Sequence, residues 1–558
     1  MGIISSMLYS TIIAAGGIVE KKFSKYTKEA VEINKATLLN IINHNNSCEF
    51  GKKYNFKSIG TIEEFQRNVP LTDYSFYSSY INRMIEGEKN ILMTDNVEYF
   101  GHTSGTTGSQ KLIPVTKKSR MIASKYMALL MQKLAYNNFR YSLRNPMGLL
   151  VADIVSTTYT KDGTPICSAT SGGMNGMKHI IPYLYSSPID VMYIEDKNAA
   201  LYLHLLFALK KRNLTYMGSV FISNVLDLLR QLEINSTDLV NDIRKGTLKR
   251  DLSITDEQRQ NIKRLLTPDA GRASEIENEF SKGFDGICRR LWPGISYVAC
   301  VTGGAFTIYE DKVNYYTGNL PIYSPSLAAT EGMMGINPYG SKIRYVILPD
   351  TLFYEFIPIE ESYKASPSVL TMDKLKKSEV YEIVITNYSG LYRYRIGDVI
   401  KVTGFYNKSP EIEFLYRKNQ LLNMAGEKTS EDQMSQALKN TTLKYNLHLT
   451  DYTAIADNSK SPGRYTVFME FKDGISPEQL KAMEKSLDKE LQLSNLVYGR
   501  FRKGHRLSPV KVVILKPDTF NEIKKVLYKK GISKNQIKIP RVVTTNKTIL
   551  EVIKRNTI

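Results

Sequence analysis

The stretch Thr103-Ser104-Gly105-Thr106-Thr107-Gly108-Ser109-Gln110-Lys111 places five hydroxyl side chains, two glycines and a terminal lysine in nine positions. Glycines let backbone N–H groups turn toward an anion without a Cβ in the way. Hydroxyls add hydrogen bonds to phosphate oxygens, and the lysine adds a point charge. The chemistry is that of a loop that closes over a polyphosphate. The spacing is not that of the GxxxxGK[ST] P-loop, and no Ser or Thr follows the lysine. A polar turn of chance composition is the plain alternative, but few turns carry these features in this order.

Four weaker constellations follow. Ala328-Ala329-Thr330-Glu331-Gly332 puts one carboxylate at the end of an apolar strand. A hard cation such as Mg²⁺ takes such an oxygen together with phosphate oxygens and water, although a single Glu of this kind is usually a surface acid. Tyr392-Arg393-Tyr394-Arg395-Ile396-Gly397-Asp398 offers an aspartate able to accept from both hydroxyls of a ribose. Its alternative is a turn carboxylate paired with Arg393 or Arg395. Arg417 stands at a candidate domain junction. Lys538, within Gln536-Ile537-Lys538-Ile539-Pro540-Arg541, is the last, with Lys547 as a rival; in so lysine-rich a chain either means little alone.

These residues need elements to hold them. Val97 to Phe100 and Leu112 to Val115 read as strands flanking the hydroxyl-rich loop. Helical spacing runs over 18 to 44, over two short segments within 61 to 91 broken at Val69-Pro70, and over 117 to 138. In the last of these Met127, Leu130, Met131, Leu134 and Ala135 share a side, a stripe more often core than pocket. Leu149 to Ala152 reads as a buried strand, 197 to 211 and 220 to 233 as helices, and 239 to 290 as helical and exposed. Short strands are predicted at Ser296 to Val301, Ala305 to Tyr309, Ile343 to Leu348, Leu352 to Pro358 and Val380 to Thr386. A polar turn falls within 404 to 412, and a new α/β pattern is expected from Phe414 onward. Helices at 430 to 439, 477 to 491 and 519 to 530, with strands near 463 to 471 and 509 to 515, complete an α/β chain. A chain of 558 residues exceeds one core. The division expected is a large domain at 1–415 and a small one at 416–558.

Composition narrows the function. Hydrophobic residues at 42% and charged residues at 23% are ordinary for a globular protein. Four scattered cysteines without a CxxC, and six scattered histidines without HExxH, argue against a disulfide framework or a zinc cluster. A reducing, cytoplasmic setting is expected. The net charge of +20 is spread along the chain rather than gathered in one arm, so nucleic acid is not the expected partner and an anionic small molecule is. The apolar patch Met7 to Val19 is too short to span a bilayer. Met1-Gly2-Ile3-Ile4-Ser5-Ser6 fits the loose myristoylation pattern, and Lys21, Lys22, Lys25 and Lys28 follow. The expectation is nonetheless an ordinary first helix packed on the body, with no membrane partner.

The order of these weak signals is more specific than any one of them. Phosphate loop, Thr-Glu, Tyr-Arg-x-Arg-x-Gly-Asp, hinge Arg and C-terminal Lys follow one another as in the acyl-adenylate-forming superfamily. The chain resembles one branch of it, the acyl acid-amido synthetases named for auxin-responsive plant proteins. Phe50 to Tyr54, Glu64 to Pro70, Tyr202 to Leu209, Trp292-Pro293, Phe353 to Pro358 and Tyr392 to Gly404 carry the likeness over nearly the whole chain. The loop is closer to the general superfamily form than to that of the plant enzymes, and Asn423, Asn419 and Gln420 depart from the ligase pattern.

The resemblance implies a large N-terminal adenylate-forming domain with mixed sheets and a β-barrel-like part, and a small mobile C-terminal α/β domain. It implies ATP and Mg²⁺ and an acyl-AMP intermediate passed to an amine, with an amino acid as the acceptor, giving an amide. An acyl-CoA ligase is the alternative, and a basic nucleic-acid-binding protein a second. Thr103, Ser104, Gly105, Thr106, Thr107, Gly108 and Lys111 would hold the β- and γ-phosphates, Thr330 the α-phosphate and Glu331 the metal. Asp398 would take the ribose, with Arg417 near ribose and phosphate, and Gly303, Gly304 and Ala305 would line the adenine. Lys538 would reach the reacting oxygens. For the acyl pocket the expectation is the helix carrying Met127, Met131 and Leu134, with Ser168, Thr170 and Ser171.

Overall fold

The computed structural model describes residues 2–102, 111–144, 146–154, 156–362, 364–418, 421–424, 427, 429–457, 459, 462–503, 506–529, 537–543 and 546–558. Among these described residues, four sheets organise the chain. In the first, Val97–His102 lies between Leu112–Thr116, its antiparallel partner, and Pro165–Ser168, its parallel one, with Ser156–Tyr159 outside. The second is parallel throughout: Gly148–Val151, Tyr216–Phe221, Tyr297–Val301 and Ile322–Tyr323. Parallel strands need covered faces, and helices Lys197–Leu209 and Ile222–Ile234 supply cover. Leu203, Leu205, Leu206, Leu228 and Leu229 join Val298 and Trp292 in the largest core.

The third sheet is antiparallel with seven strands, in the order Phe353–Pro358, Val380–Thr386, Tyr394–Tyr406, Ser409–Arg417, Tyr345–Ile347, Gly332–Ile336 and Ser326–Ala329. Phe414 to Arg417 therefore ends a hairpin strand of this sheet instead of opening a new pattern, because the turn at Asn407, with φ +56°, returns the chain along Tyr394–Tyr406. Beyond it, Leu449–Asp457, Arg464–Phe471 and Lys511–Ile514 form a separate three-stranded sheet, covered by helices Glu431–Lys444 and Pro477–Ser494. The large and small α/β domains read from sequence are both present.

Three local readings change. Ala305 to Tyr309 lies within a 3₁₀ helix, Gly304–Tyr309, not a strand: Gly303 at φ +87° turns the chain out of the sheet direction. The 239 to 290 region is helical, but Ile243, Ile262, Ala273 and Ile276 are core rather than exposed. The first helix starts at Gly2 and runs to Lys28, and by length and composition Ile3–Lys28 suffices to cross a membrane. It packs on the body as expected, burying Tyr9, Ile13, Val19 and Phe23, with the Tyr9 hydroxyl donating to the Leu184 carbonyl at 3.1 Å. All four cysteines are buried and unpaired.

Candidate active site

Residues 103–110 lie outside the described residues, so Thr103, Ser104, Gly105, Thr106, Thr107 and Gly108 are placed only by their anchors. These anchors are two paired strands, ending at His102 and resuming at Leu112, whose last pair is His102 opposite Leu112. The two strands stay paired up to these last described residues.

Against the His102 end of this pair presses a hairpin turn. Gly332 pairs with Ala329, leaving Thr330-Glu331 as a two-residue turn. The Thr330 hydroxyl donates to the His102 carbonyl at 3.0 Å, and Asn387 Nδ2 donates to the Glu331 carbonyl at 2.8 Å. The approach is close enough to require glycine at 101, where a Cβ would stand 2.5 Å from Thr330 Cγ2. On the other side His102 is in parallel register with Ser168. Ser168, His102 and Thr330 therefore lie side by side at one end of the sheets.

Glu331 is buried at 6% exposure. Burial raises its carboxyl above the ordinary range; Arg417 and Lys111 pull it back, and Asp398 pushes it up. Lys111 is itself lowered by burial, with Glu331 opposing that shift and Arg417 reinforcing it. Its Nζ stands 5.4 Å over the ring of Tyr74. The Tyr74 hydroxyl accepts from Leu112 N at 2.9 Å, which fixes the strand that carries the lysine. Tyr74 opens a helix capped by Asp73, whose carboxylate accepts from the Ser75 and Phe76 amides. Two acids and two cations thus interact in one place, reached from four separate stretches of chain.

Asp398, 2% exposed, accepts from Arg417 Nε at 2.6 Å, and the two residues are opposite each other in register. This corrects the alternative of a pair with Arg393 or Arg395. Arg393, at φ +48°, turns inward to Glu355 at 3.0 Å, with the Gln66 and Val69 carbonyls each at 2.8 Å. Arg395 pairs with Glu382 at 2.6 Å. Both arginines are structural, which leaves Asp398 and Arg417 to each other.

Lys538 lies elsewhere in this arrangement. Its Nζ donates to Glu431 at 2.9 Å and stands 5.1 Å over the ring of Phe306. Phe306 follows Gly303, Gly304 and Ala305, so the small domain's lysine sits on the segment expected at the adenine. Nearby, Arg541 is paired with Asp451 and donates to the Tyr309 hydroxyl at 2.7 Å, and Tyr309 donates to Asp451 at 2.8 Å. Buried on both sides, this trio ties the small sheet to the large domain. Lys547 is exposed at the start of helix Lys547–Arg555.

The acyl-pocket residues separate. Ser168 caps helix Ala169–Asn175, donating to Ser171 Oγ at 2.9 Å, and Ser171 donates to the Asp153 carbonyl at 3.0 Å. Thr170, between them, is half-buried. Leu134 is core, not pocket: it packs with Phe23, Leu130, Met333 and Ile336, and Met131 leans on the same cluster. Met127 is 41% exposed within a π-helical turn, Lys125–Leu130, that interrupts the helix. Such turns recur at functional sites. Tyr74 and Asn387 are site neighbours that the sequence did not single out. A tyrosine in an aromatic-rich chain and an Asn in a turn carry no distinguishing signal.

Comparisons with known proteins agree along the chain. The GH3 family N-terminal domain matches residues 19–322, the GH3 family central domain 345–417 and the GH3 family C-terminal domain 432–547. Indole-3-acetic acid-amido synthetase GH3.5 of Arabidopsis thaliana is 30% identical over 550 residues, 93% of this chain and 89% of the relative. Jasmonoyl–L-amino acid synthetase GH3.5 of Oryza sativa subsp. japonica is 28% identical, with 96% of each chain covered. The solved structure of GH3.15 acyl acid amido synthetase superposes with a TM-score of 0.86 at 27% identity, covering 98% of this chain and 96% of that one.

Proposed function

The chain belongs to the GH3 family, and on that premise we propose that it adenylates a small carboxylic acid with ATP and passes the acyl group to an amino acid. The enzyme is an amide-forming ligase. The observation that carries the reading is the convergence of Lys111, Glu331, Asp398 and Arg417 at the root of the hydroxyl-rich loop.

In the first half-reaction a carboxylate oxygen attacks the α-phosphorus of ATP, the bond to the β-phosphate breaks, and pyrophosphate leaves. Little covalent work falls to the protein; positioning and charge neutralisation do most of it. Lys111 and the 103–108 loop hold the β- and γ-phosphates, and Thr330 touches the α-phosphate. The Asp398 carboxylate takes the ribose hydroxyls, Arg417 spans ribose and phosphate, and Gly303 to Ala305 line the adenine. In the second half-reaction the amine nitrogen attacks the acyl carbonyl, the carbon–oxygen bond to AMP breaks, and the amine loses a proton. The small domain, which begins past strand Ser409–Arg417, acts as a lid, with Lys538 brought to the reacting oxygens when it turns.

Glu331 fits a magnesium ligand. It is a buried carboxylate, and among the described residues no group of three or more His, Cys, Asp or Glu side chains gathers. Glu331 would hold such a cation, and phosphate oxygens of the nucleotide would complete its ligands. Mg²⁺, when bound, neutralises charge on the phosphate oxygens.

The test is pyrophosphate release across a carboxylic-acid library, followed by acceptor competition. Amide formed with amino acids and no thioester formed with coenzyme A supports the reading. Thioester as the product replaces the second half of it.

A further inference from the structure

We propose that the outward face of the N-terminal helix docks the enzyme on an anionic phospholipid bilayer. At 100° per residue, Ser5, Tyr9, Ile13, Val19, Phe23 and Thr27 form one stripe, and that stripe is buried in the body. The opposite arc, about 100° wide by the same spacing, is also mostly apolar; its polar member Thr11 donates its hydroxyl to the Met7 carbonyl at 2.9 Å. It holds Ile3 at 79% exposure, Ile4, Met7 at 66% and Ile18 at 72%. This outer stripe is about 22 Å long from Ile3 to Ile18 at 1.5 Å per residue. The same arc continues without a break into exposed Lys21, Lys22 and Lys25.

A helix with one buried apolar face has no folding reason for a second one, and an exposed apolar patch marks a contact surface. The chemistry along the stripe selects the partner. Apolar side chains followed by lysines suit a bilayer interface, where the first enter the headgroup–acyl boundary and the second meet lipid phosphates. Between Gly2 and Lys28 the single acid is Glu20, and its carboxylate is taken by Asn137 Nδ2 at 2.9 Å. Glu29 begins only past the helix. The net charge of +20 adds attraction at longer range. A second copy fits this face badly. Parallel pairing opposes lysines to lysines, and antiparallel pairing buries them against Ile3, Ile4 and Met7.

The helix lies on the membrane and does not cross it. Its inner stripe is held by the body, down to the hydrogen bond from Tyr9 to Leu184. Packing on the body and docking on a membrane therefore use different faces of one helix.

The experiment is co-sedimentation of the full-length protein with vesicles of phosphatidylcholine alone and of phosphatidylcholine with phosphatidylserine. The expected result is binding to the anionic vesicles at least tenfold tighter than to the neutral ones. Lys21→Gln and Lys25→Gln should each weaken it about fivefold. The double variant Met7→Ser/Ile18→Ser should weaken it tenfold or more, with pyrophosphate release and thermal midpoint unchanged. Absence of binding to anionic vesicles would overturn the proposal. So would unaltered binding by the Met7→Ser/Ile18→Ser protein, which would leave only diffuse charge attraction. A wild-type dimer in solution that this variant turns into a monomer would assign the face to a second copy instead. Lys21→Glu/Lys25→Glu, altered only at exposed positions, gives an independent check: it must lose anionic binding.

Discussion

Arg417 Nε lies 2.6 Å from Asp398 Oδ1, and the two residues face each other in register on neighbouring strands. The pair presents a buried carboxylate and a partly exposed guanidinium side by side. One offers acceptors for a ribose, the other donors for a phosphate. Backbone pairing fixes their spacing, so the pair is positioned by one sheet rather than by a loop.

Removing one partner tests this directly. Arg417→Ala leaves the Asp398 carboxylate in a site of 2% exposure without its cation. A loss of about 1–3 kcal/mol is expected in denaturant unfolding, with the KM for ATP raised tenfold or more. Arg417→Lys should recover stability better than affinity, because a lysine keeps the charge but not the forked donor geometry.

Glu331 ties pH to both folding and catalysis, with opposite signs. Burial raises its folded-state carboxyl above the unfolded value. Its contribution to stability is therefore present at acid pH and is lost as pH rises through the raised folded value. The proposed metal ligand is the ionised form, so the proposed catalysis should gain over that same interval. Pyrophosphate release should show an acid limb above that of an ordinary glutamate. Glu331→Gln should lower the rate tenfold or more, and its stability should lack the decline with rising pH that wild type shows.

If Lys111 holds phosphate as proposed, it should set the opposite limb. Its ammonium is lowered by burial, so it loses charge at a lower pH than a surface lysine. The rate of pyrophosphate release should fall on the alkaline side earlier than an unshifted lysine would allow. Lys111→Ala should cost tenfold or more at neutral pH, and the alkaline fall should disappear from what remains.

The contact of the Gly101-His102 strand end with the Thr330-Glu331 turn makes a fourth test. Gly101→Ala would put a methyl 2.5 Å from Thr330 Cγ2, while the Thr330 hydroxyl is held by His102. The Thr330-Glu331 turn must shift. Stability should fall by about 1–3 kcal/mol, and adenylation should fall several-fold although no charged group is touched. A normal rate in this variant would separate the turn's position from catalysis.

Much of this was legible in the residues. The runs on either side of the hydroxyl-rich loop are paired strands because their apolar residues face the core and the turn chemistry lies between them. Helix Lys197–Leu209 was evident from a nearly unbroken apolar run. What local pattern could not supply was cross-strand register. Asp398 has two arginines within five residues, yet pairs with one nineteen positions away, because bulges near Val399 and Val402 set the hairpin alignment. Strand Leu449–Asp457 escaped notice, since its polar residues Thr450, Asp451 and Thr453 interrupt the apolar signal, and Asp451 is buried only because Arg541 and Tyr309 neutralise and bond it. Leu134 shows the same limit from the other side: a helical apolar stripe looks alike whether its partner is a ligand or, as here, Phe23 of the first helix.

Acid-dependent exchange of labelled pyrophosphate into ATP tests the central claim most directly, because it reports reversible acyl-AMP formation without requiring the amine. The account predicts exchange that needs ATP, Mg²⁺ and one class of carboxylic acid, that falls tenfold or more in Glu331→Gln, and that yields a hydroxamate when hydroxylamine is added. Acid-stimulated ATP cleavage to ADP and phosphate, with no exchange for any acid of the library, would contradict it.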